Sequence, residues 1–519
     1  MILKSSILVT SLTVFAAFMS FVSQLIIAGF FGISENVDAY LIAVSIPTLV
    51  SGTIIAALSY TVVPSLVFYN LNQKKYCQFC GAMLLGIVVL SCCVVIAGFF
   101  SSPFFVQLLG STLSSSAFDI AVMMSYVSWI SGGLAIISAY LAAMHNSIKC
   151  FVTPVLIGIF PVIGVICFTT IFGKYLNVVS IVWGTFVGTV LSMILLLCGV
   201  YKYIEISRNS FTYMYKIARY FSIMPLVIIS MFCFTIYQPI DAYWAPQLGS
   251  GNLASLGYCQ RIIVGLGQFI IAGPSIVIMP RLTEAYRDCR YMDFFNVFAR
   301  VLRTVLAFAV PLAVTLSILA LPLLKVLFQR GAFNAAATNE VAGLLPFMTA
   351  GMVAMLCVVM IFRAFFSKKD FFAVVFLSVL MIILYFVLSG VLSSVLGVKG
   401  IGLAYTFSWW IILPLAIYFL WRQNLDLVLQ RENFVFLLQL FIVNVFIGLT
   451  VFSLGYFIIN LPNKVGTIEL ILRISVPIGS ALLVFYFFAV RLFKMKDVIV
   501  IFDFIKDGIK NNICVFNKF

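Results

Sequence analysis

The sequence predicts an all-α polytopic membrane protein with about 14 transmembrane helices, because three features leave few alternatives. The chain has 519 residues, of which 64% are hydrophobic and 9% charged, with a mean hydropathy of +1.19. Soluble domains carry about 25% charged residues, so too little polar surface exists here to cover a water-facing globule. The apolar stretches are long and continuous, and they lack the alternation over roughly ten residues that marks a barrel strand. In lipid, every backbone N–H and C=O needs an internal partner, which a helix supplies by itself. The third feature is a lopsided placement of cations between the stretches.

In order, the predicted spans are 6–31, 38–70, 80–109, 116–144, 150–173, 176–201, 220–246, 253–282, 293–328, 336–367, 371–396, 399–421, 433–460 and 467–492. The first run follows Lys4, is too long for a signal-peptide core and shows no small-x-small cleavage site, so it reads as a retained helix. The second opens at Asp38 and carries Pro47. A short basic loop with Cys77 and Cys80 precedes the third. That CxxC has no second cysteine pair or histidine cluster beside it, so no metal site is expected there. Of the 12 cysteines, Cys92, Cys93, Cys167 and Cys357 fall within apolar runs and read as small hydrophobes. The single histidine, His145, ends the fourth span and reads as an interfacial anchor. Past the last span, residues 493–519 mix Val498, Ile501, Phe502 and Phe504 with scattered lysines, a pattern suited to an amphipathic helix on the inner leaflet.

The net charge of +15 would suggest nucleic acid in a soluble protein, but here it follows from topology. Of 31 Lys and Arg residues, 24 fall on one side, in alternate breaks or at the span ends beside them. Five lie on the other side: Lys174, Lys325, Arg330, Lys399 and Lys464. Cytoplasmic loops carry the excess of Lys and Arg, which puts both termini in the cytoplasm and makes nucleic acid an unneeded partner.

Two stretches repeat. Gly32, Asp38-Ala39-Tyr40 and Pro64 correspond to Gly249, Leu256-Gly257-Tyr258 and Pro280, with glycine-to-proline separations of 32 and 31 residues. A weaker pair sets Ala143-Met144-His145-Asn146-Ser147 beside Ala364-Phe365-Phe366-Ser367-Lys368. Both offsets equal six spans, an even number, so the halves keep one orientation, as in transporters with parallel repeats. The expected organisation is a six-helix lobe at 1–203, a linker at 204–219, a second six-helix lobe at 220–421, two additional helices at 433–492 and the tail at 493–519.

An ionisable side chain within a bilayer costs roughly 2.5–3.5 kcal/mol on insertion scales, so those that occur are candidates for function. Asp38 stands at the start of the second span, where a carboxylate also suits a helix N-terminus. Asp241 follows Pro239 in the seventh, and Arg261 lies about a third of the way along the eighth. An arginine fork fits phosphate oxygens, so Arg261 reads as the grip on an anionic substrate with Asp241 tuning it, or the two form a structural ion pair. Arg363 and Arg473 suit interfacial positions. Pro47, Pro239 and Pro274 interrupt helical hydrogen bonding and would let bundles bend. No Gly-x-x-x-x-Gly-Lys-Ser/Thr segment exists, so transport would draw on an ion gradient with a coupling ion, on the membrane potential or on removal of substrate. Neither a cofactor nor a catalytic residue is expected.

These residues resemble the MurJ/MviN family, the lipid II flippases of the multidrug/oligosaccharidyl-lipid/polysaccharide exporter superfamily. The likeness rests on Phe31-Gly32, Val37-Asp38-Ala39-Tyr40, Ile46-Pro47, Ile240-Asp241, Tyr258-Cys259-Gln260-Arg261 and Met279-Pro280-Arg281-Leu282. It is most specific in Phe328-Gln329-Arg330-Gly331-Ala332-Phe333 and in Arg363-Ala364-Phe365 through Asp370. The resemblance implies two six-helix lobes around a central cavity, two C-terminal helices forming a lipid-facing groove, and a bacterial inner-membrane location. It further implies flipping of an undecaprenyl-diphosphate-linked saccharide by alternating access, for peptidoglycan or surface polysaccharide synthesis. By it, Arg261 matches a cavity arginine implicated in holding the diphosphate, and Asp38 an acidic residue of the first lobe.

The departures concern charge. Ala17, Ser23 and Gly29 stand where the family carries arginines in its first helix, Ser51 and Gly52 where it carries them after the second-helix proline, and Val264 where it often has Glu. Either the headgroup is held by Arg261 with Asp241, Asp38, Ser23 and Ser51, or the saccharide differs from that of lipid II. A drug or cation antiporter of the same superfamily would need more cavity acids than Asp38 and Asp241. A membrane glycosyltransferase or ligase would need large external loops, which the spacing of the spans leaves no room for. A non-transporting scaffold is a third rival.

Overall fold

In the computed structural model, the described residues are 2–69, 73–148, 150, 152–205, 228, 235–368, 370–421, 431–459, 467–493, 495 and 498. The proposed linker at 204–219 lies almost entirely outside them, as do most of the seventh span and most of the tail at 493–519. The long elements are all helical. They are α1 (Ile2–Phe31), α2 (Glu35–Tyr69), α3 (Gln73–Leu109), α4 (Ser115–Ser147), α5 (Leu156–Leu176) and α6 (Val179–Val200). Next come α7 (Tyr237–Trp244), α8 (Asn252–Arg287), α9 (Tyr291–Ile318), α10 (Ala320–Leu327) and α11 (Ala335–Lys368). The last are α12 (Phe371–Leu396), α13 (Val398–Trp421), α14 (Arg431–Ile459) and α15 (Thr467–Tyr486).

Among the described residues, 12 helices are long and apolar enough to cross a membrane. α1 and the partly described seventh span come in addition, so the multi-pass all-α class holds and the count of 14 is approximate. The ninth span, read as one run over 293–328, divides at Leu319 into α9 and α10. Pro322 explains the break, because it lacks the N–H that would bond the Ile318 carbonyl. Helix starts carry local signals: Ser114 Oγ accepts from Ala117 N, Asn334 Oδ1 from Ala337 N and Asp370 Oδ1 from Ala373 N.

The chain divides into two compact units. The first holds residues 1–258, 328–337 and 378–401, and the second holds 259–327, 338–377 and 402–519. Inside the first unit, Leu58, Val62, Tyr76, Phe79, Met83 and Tyr140 build a core of α2, α3, α4 and α6. His145 is 2% exposed, and its Nε2 lies 3.0 Å from the Leu196 carbonyl, so it ties α4 to α6 instead of anchoring at an interface. Cys77 and Cys80 are free thiols, half-buried and buried. α5 and α6 approach to backbone contact. A Cβ on Gly188 would lie 2.3 Å from the Phe160 carbonyl oxygen and 2.5 Å from the Pro161 Cα. Small residues permit such approach where lipid offers no hydrophobic drive between helices.

In the second unit, Val443, Ile447 and Val451 of α14 pack with Ala481 and Phe485 of α15 and with Ala307 of α9. The ammonium of Lys368, at the end of α11, sits over the rings of Tyr286, Phe294 and Phe295 at 6.0, 5.8 and 5.8 Å. Aromatic faces hold a cation electrostatically, which fastens the ends of α8, α9 and α11 together. In the turn between α8 and α9, the carboxyl of Asp288 is held below its ordinary range by hydrogen bonds from Arg287 and Arg290.

The α5–α6 contact yields a stability prediction. Gly188→Leu should lower the Tm in detergent by several degrees, since forcing bulk into a packed contact costs about 1–3 kcal/mol. Gly158→Leu, whose side chain would start in open space, should leave it unchanged.

Candidate functional site

The acidic residue at the head of α2 caps a helix, but not its own. Asp38 is 1% exposed, and its two oxygens accept from the Gly251 amide at 2.5 Å and the Ala254 amide at 2.7 Å. Those amides belong to the entry and first turn of α8, so the start of α8 is held by α2. The first amides of a helix have no intrahelical acceptors and carry a partial positive charge, which suits a carboxylate. Bonds of this charge-assisted kind each contribute about 1.5–3 kcal/mol.

Around that carboxylate the backbone closes in. Gly32 has φ +57°, the left-handed region, and a Cβ there would lie 2.5 Å from the Ala332 carbonyl oxygen. Gly331 also has φ +57°, and a Cβ on it would lie 2.2 Å from the Gly29 carbonyl oxygen. The Ala332 amide donates to that same Gly29 oxygen at 2.8 Å. Tyr258 donates its hydroxyl to the Gly32 carbonyl at 3.0 Å, with its ring against Phe328 and Phe333. Nearby, Glu35 accepts from the Ser114 amide at 2.7 Å and Thr112 donates to the Pro246 carbonyl at 3.1 Å. All these residues lie in the first unit, at the ends of the spans that carry few cations. The specific segment Phe328–Phe333 is thus one jaw of a clasp.

Asp241 is 1% exposed and accepts a short hydrogen bond from the buried Tyr385 hydroxyl of α12. Three residues on, Trp244 packs against Phe386 and against Gly390, where a Cβ would lie 2.7 Å from the indole. Ser23 and Ser51 are buried at 4% and 8% exposure. The Ser51 hydroxyl donates to the Pro47 carbonyl at 2.7 Å, and Ser45 and Thr48 bond back to Ile42 and Val44. This run of hydroxyl-to-carbonyl bonds accompanies the proline interruption of α2 and favours a bend there.

Arg261 lies in the second unit, half-buried on α8. One turn on, a side chain at Gly265 would meet nothing within 4 Å, and Gln268 on the following turn is exposed. The helix face bearing Arg261 therefore has room beside it. The structure joins Asp38 to the second repeat and Asp241 to Tyr385, and it buries Ser23 and Ser51 within the first unit. The residues that sequence reasoning missed are Tyr385, hidden in the apolar run of α12, and the glycines of the clasp, whose left-handed backbone has no signal beyond their being glycine. Among the described residues, no three of His, Cys, Asp or Glu come together as a metal site would need.

Comparison with known proteins agrees with this architecture. The family model described as Lipid II flippase MurJ matches residues 27–476. A probable lipid II flippase MurJ from Buchnera aphidicola (subsp. Acyrthosiphon pisum) is 24% identical, with 85% of this chain and 87% of the relative covered. The lipid II flippase MurJ of Burkholderia cenocepacia is 22% identical over 71% of this chain and 73% of its own. Among solved structures, a lipid II flippase MurJ in an inward closed conformation superposes with a TM-score of 0.76 at 18% identity, covering 95% of this chain and all of that one. An inward-facing multidrug transporter of the MATE family gives a TM-score of 0.64 at 12% identity, covering 81% and 98%.

The clasp is testable. Asp38→Ala should shift the conformational equilibrium toward an opened clasp by at least about 100-fold, the loss of two charge-assisted bonds to backbone. The readout is maleimide labelling of Ser255→Cys, a position with no exposure when the clasp is closed. Unchanged labelling would show that the carboxylate does not hold the clasp.

Proposed function

The chain belongs to the MurJ lipid II flippase family, and from that premise we propose that it carries lipid II, or a closely related undecaprenyl-diphosphate-linked saccharide, across the bacterial cytoplasmic membrane. The observation that carries this reading is the family match from residue 27 to residue 476, through every element of the clasp and through Arg261. The cation-rich breaks between spans support a cytoplasmic position for both termini, which makes the clasp of Asp38, Gly32 and Phe328–Phe333 the outward end.

The cycle follows from these parts. With the outward end fastened, the headgroup enters from the cytoplasm while its polyprenyl tail stays among acyl chains. Arg261 binds the diphosphate; its guanidinium stays charged and matches two phosphate oxygens at once. Substrate binding then has to favour the state in which the Asp38 bonds to α8 are released, because a ligand shifts a conformational equilibrium only by its differential affinity for the two states. Asp241, tied to Tyr385, sits at the seventh span and responds to motion of α7 against α12 within the first unit. Ser23 and Ser51 add small polar groups that allow water or sugar hydroxyls near α1 and α2 once packing loosens. No bond is made or broken, so the role is transport and not catalysis.

Reconstitution tests the proposal. Purified protein in liposomes should move fluorescent lipid II between leaflets. Arg261→Ala should reduce that rate by at least about tenfold, the effect of losing one charge-assisted contact, while Arg261→Lys should retain part of it. Wild-type activity in the alanine variant would remove Arg261 from the mechanism. Absence of movement by the folded wild-type protein would remove the substrate assignment.

A further inference from the structure

Among the described side chains of α2, Thr48 is an exposed polar one, flanked by the partly exposed Val44 and Gly52. At Gly52 a side chain would meet nothing within 4 Å, so there is free volume one turn from the hydroxyl. Gln238 of α7, itself half-exposed, reaches the same spot: Thr48 Oγ1 and Gln238 Oε1 are 3.4 Å apart. Both residues belong to the first unit. Thr48 follows Glu35 by 13 residues, which places it about 20 Å along the helix, deep in a hydrocarbon core of about 30 Å.

At that depth a glutamine amide is out of place unless water or a ligand reaches it. An unmet amide costs several kcal/mol among acyl chains, and Thr48 engages one of the amide's hydrogen-bonding positions. The hydroxyl has a single proton, and the Val44 carbonyl at 2.7 Å is a nearer acceptor than Gln238. An amide turned over would instead donate Nε2–H to Thr48 Oγ1 and free its oxygen. Either orientation keeps a partner for Thr48, so the pair offers an incoming group a donor or an acceptor at little cost.

The chemistry of this wall is neutral. Ser51 and Gly52 stand where the family resemblance places arginines, and the Ser51 proton is already committed to the Pro47 carbonyl. A neutral hydroxyl–amide pair beside open volume does little for a diphosphate and suits the hydroxyl and amide groups of a saccharide. We propose that Thr48 and Gln238 form the subsite for the sugar portion of the headgroup. This rests on the chain acting on a lipid-linked saccharide, as proposed above, and it separates sugar recognition on α2 and α7 from diphosphate recognition at Arg261.

The experiment uses the full-length protein in detergent with two probes, lipid II and undecaprenyl diphosphate, the second lacking sugar. Thr48→Val and Gln238→Leu should each weaken lipid II binding about 5- to 10-fold, the scale of one neutral hydrogen bond. Neither should change undecaprenyl diphosphate binding, whereas Arg261→Ala should weaken both. Thr48→Ser, which keeps the hydroxyl, should bind lipid II as wild type does and serves as the reference should a variant alter folding. Equal losses for both probes, or none for either, would overturn the subsite and leave the transport reading standing. Wild-type protein that binds neither probe, or binds them equally, would overturn the subsite as well, and failure to bind either would remove the transport reading with it.

Discussion

The fastening of α8 to α2 through one carboxylate is the interaction on which the rest of this architecture depends. A helix that begins near a membrane surface presents amides with no partners of their own. In this chain those amides are met by Asp38, a residue from the other half of the repeat, and not by a local cap. The consequence is mechanical. Separating the two sequence repeats at that end requires either water or another acceptor to take over the amides of Gly251 and Ala254. A side chain that is 1% exposed thus makes the start of α8 depend on a residue of α2.

Much of the fold was legible in the sequence because lipid imposes a simple grammar: a long apolar run must be a helix, and cations sort to one side. Apart from the seventh, which lies mostly outside the described residues, the spans came out close to the helices for that reason. The ninth span was the exception, since its hydropathy is continuous through Leu319 and the interruption depends on the missing amide of Pro322. The repeat pairs Gly32 and Gly249 at matched distances from Pro64 and Pro280. Both glycines proved to have positive φ.

The candidate site was less legible. In sequence, Asp38 suits both a helix cap and a substrate site; the helix it caps begins more than 200 residues later, and sequence order does not say which helix start will arrive beside a given carboxylate. The Ser51 hydroxyl donates to the carbonyl of Pro47, as happens commonly when hydroxyls lie within helices, a bond that sequence does not show and that leaves the oxygen to accept. Tyr385 sits in a largely apolar helix of 26 residues that gives no hint of its bond to Asp241. Thr48 was hidden for a similar reason: a threonine after a proline looks like helix filler until Gln238 is seen beside it.

The joint made by Gly29, Gly32, Gly331 and Ala332 has a bearing on speed. It is largely peptide against peptide, with the Arg330 stem and the Ala332 methyl as the side-chain atoms nearest the glycines. When such a joint parts at the aqueous rim of a bilayer, what the joint itself exposes is polar backbone that water solvates at once. A seam of leucines would seal as well but would resist wetting each time it parted. Glycine therefore lets this end of the molecule be both tight and quick to release, which suits a protein that must part and reseal once for every molecule it carries.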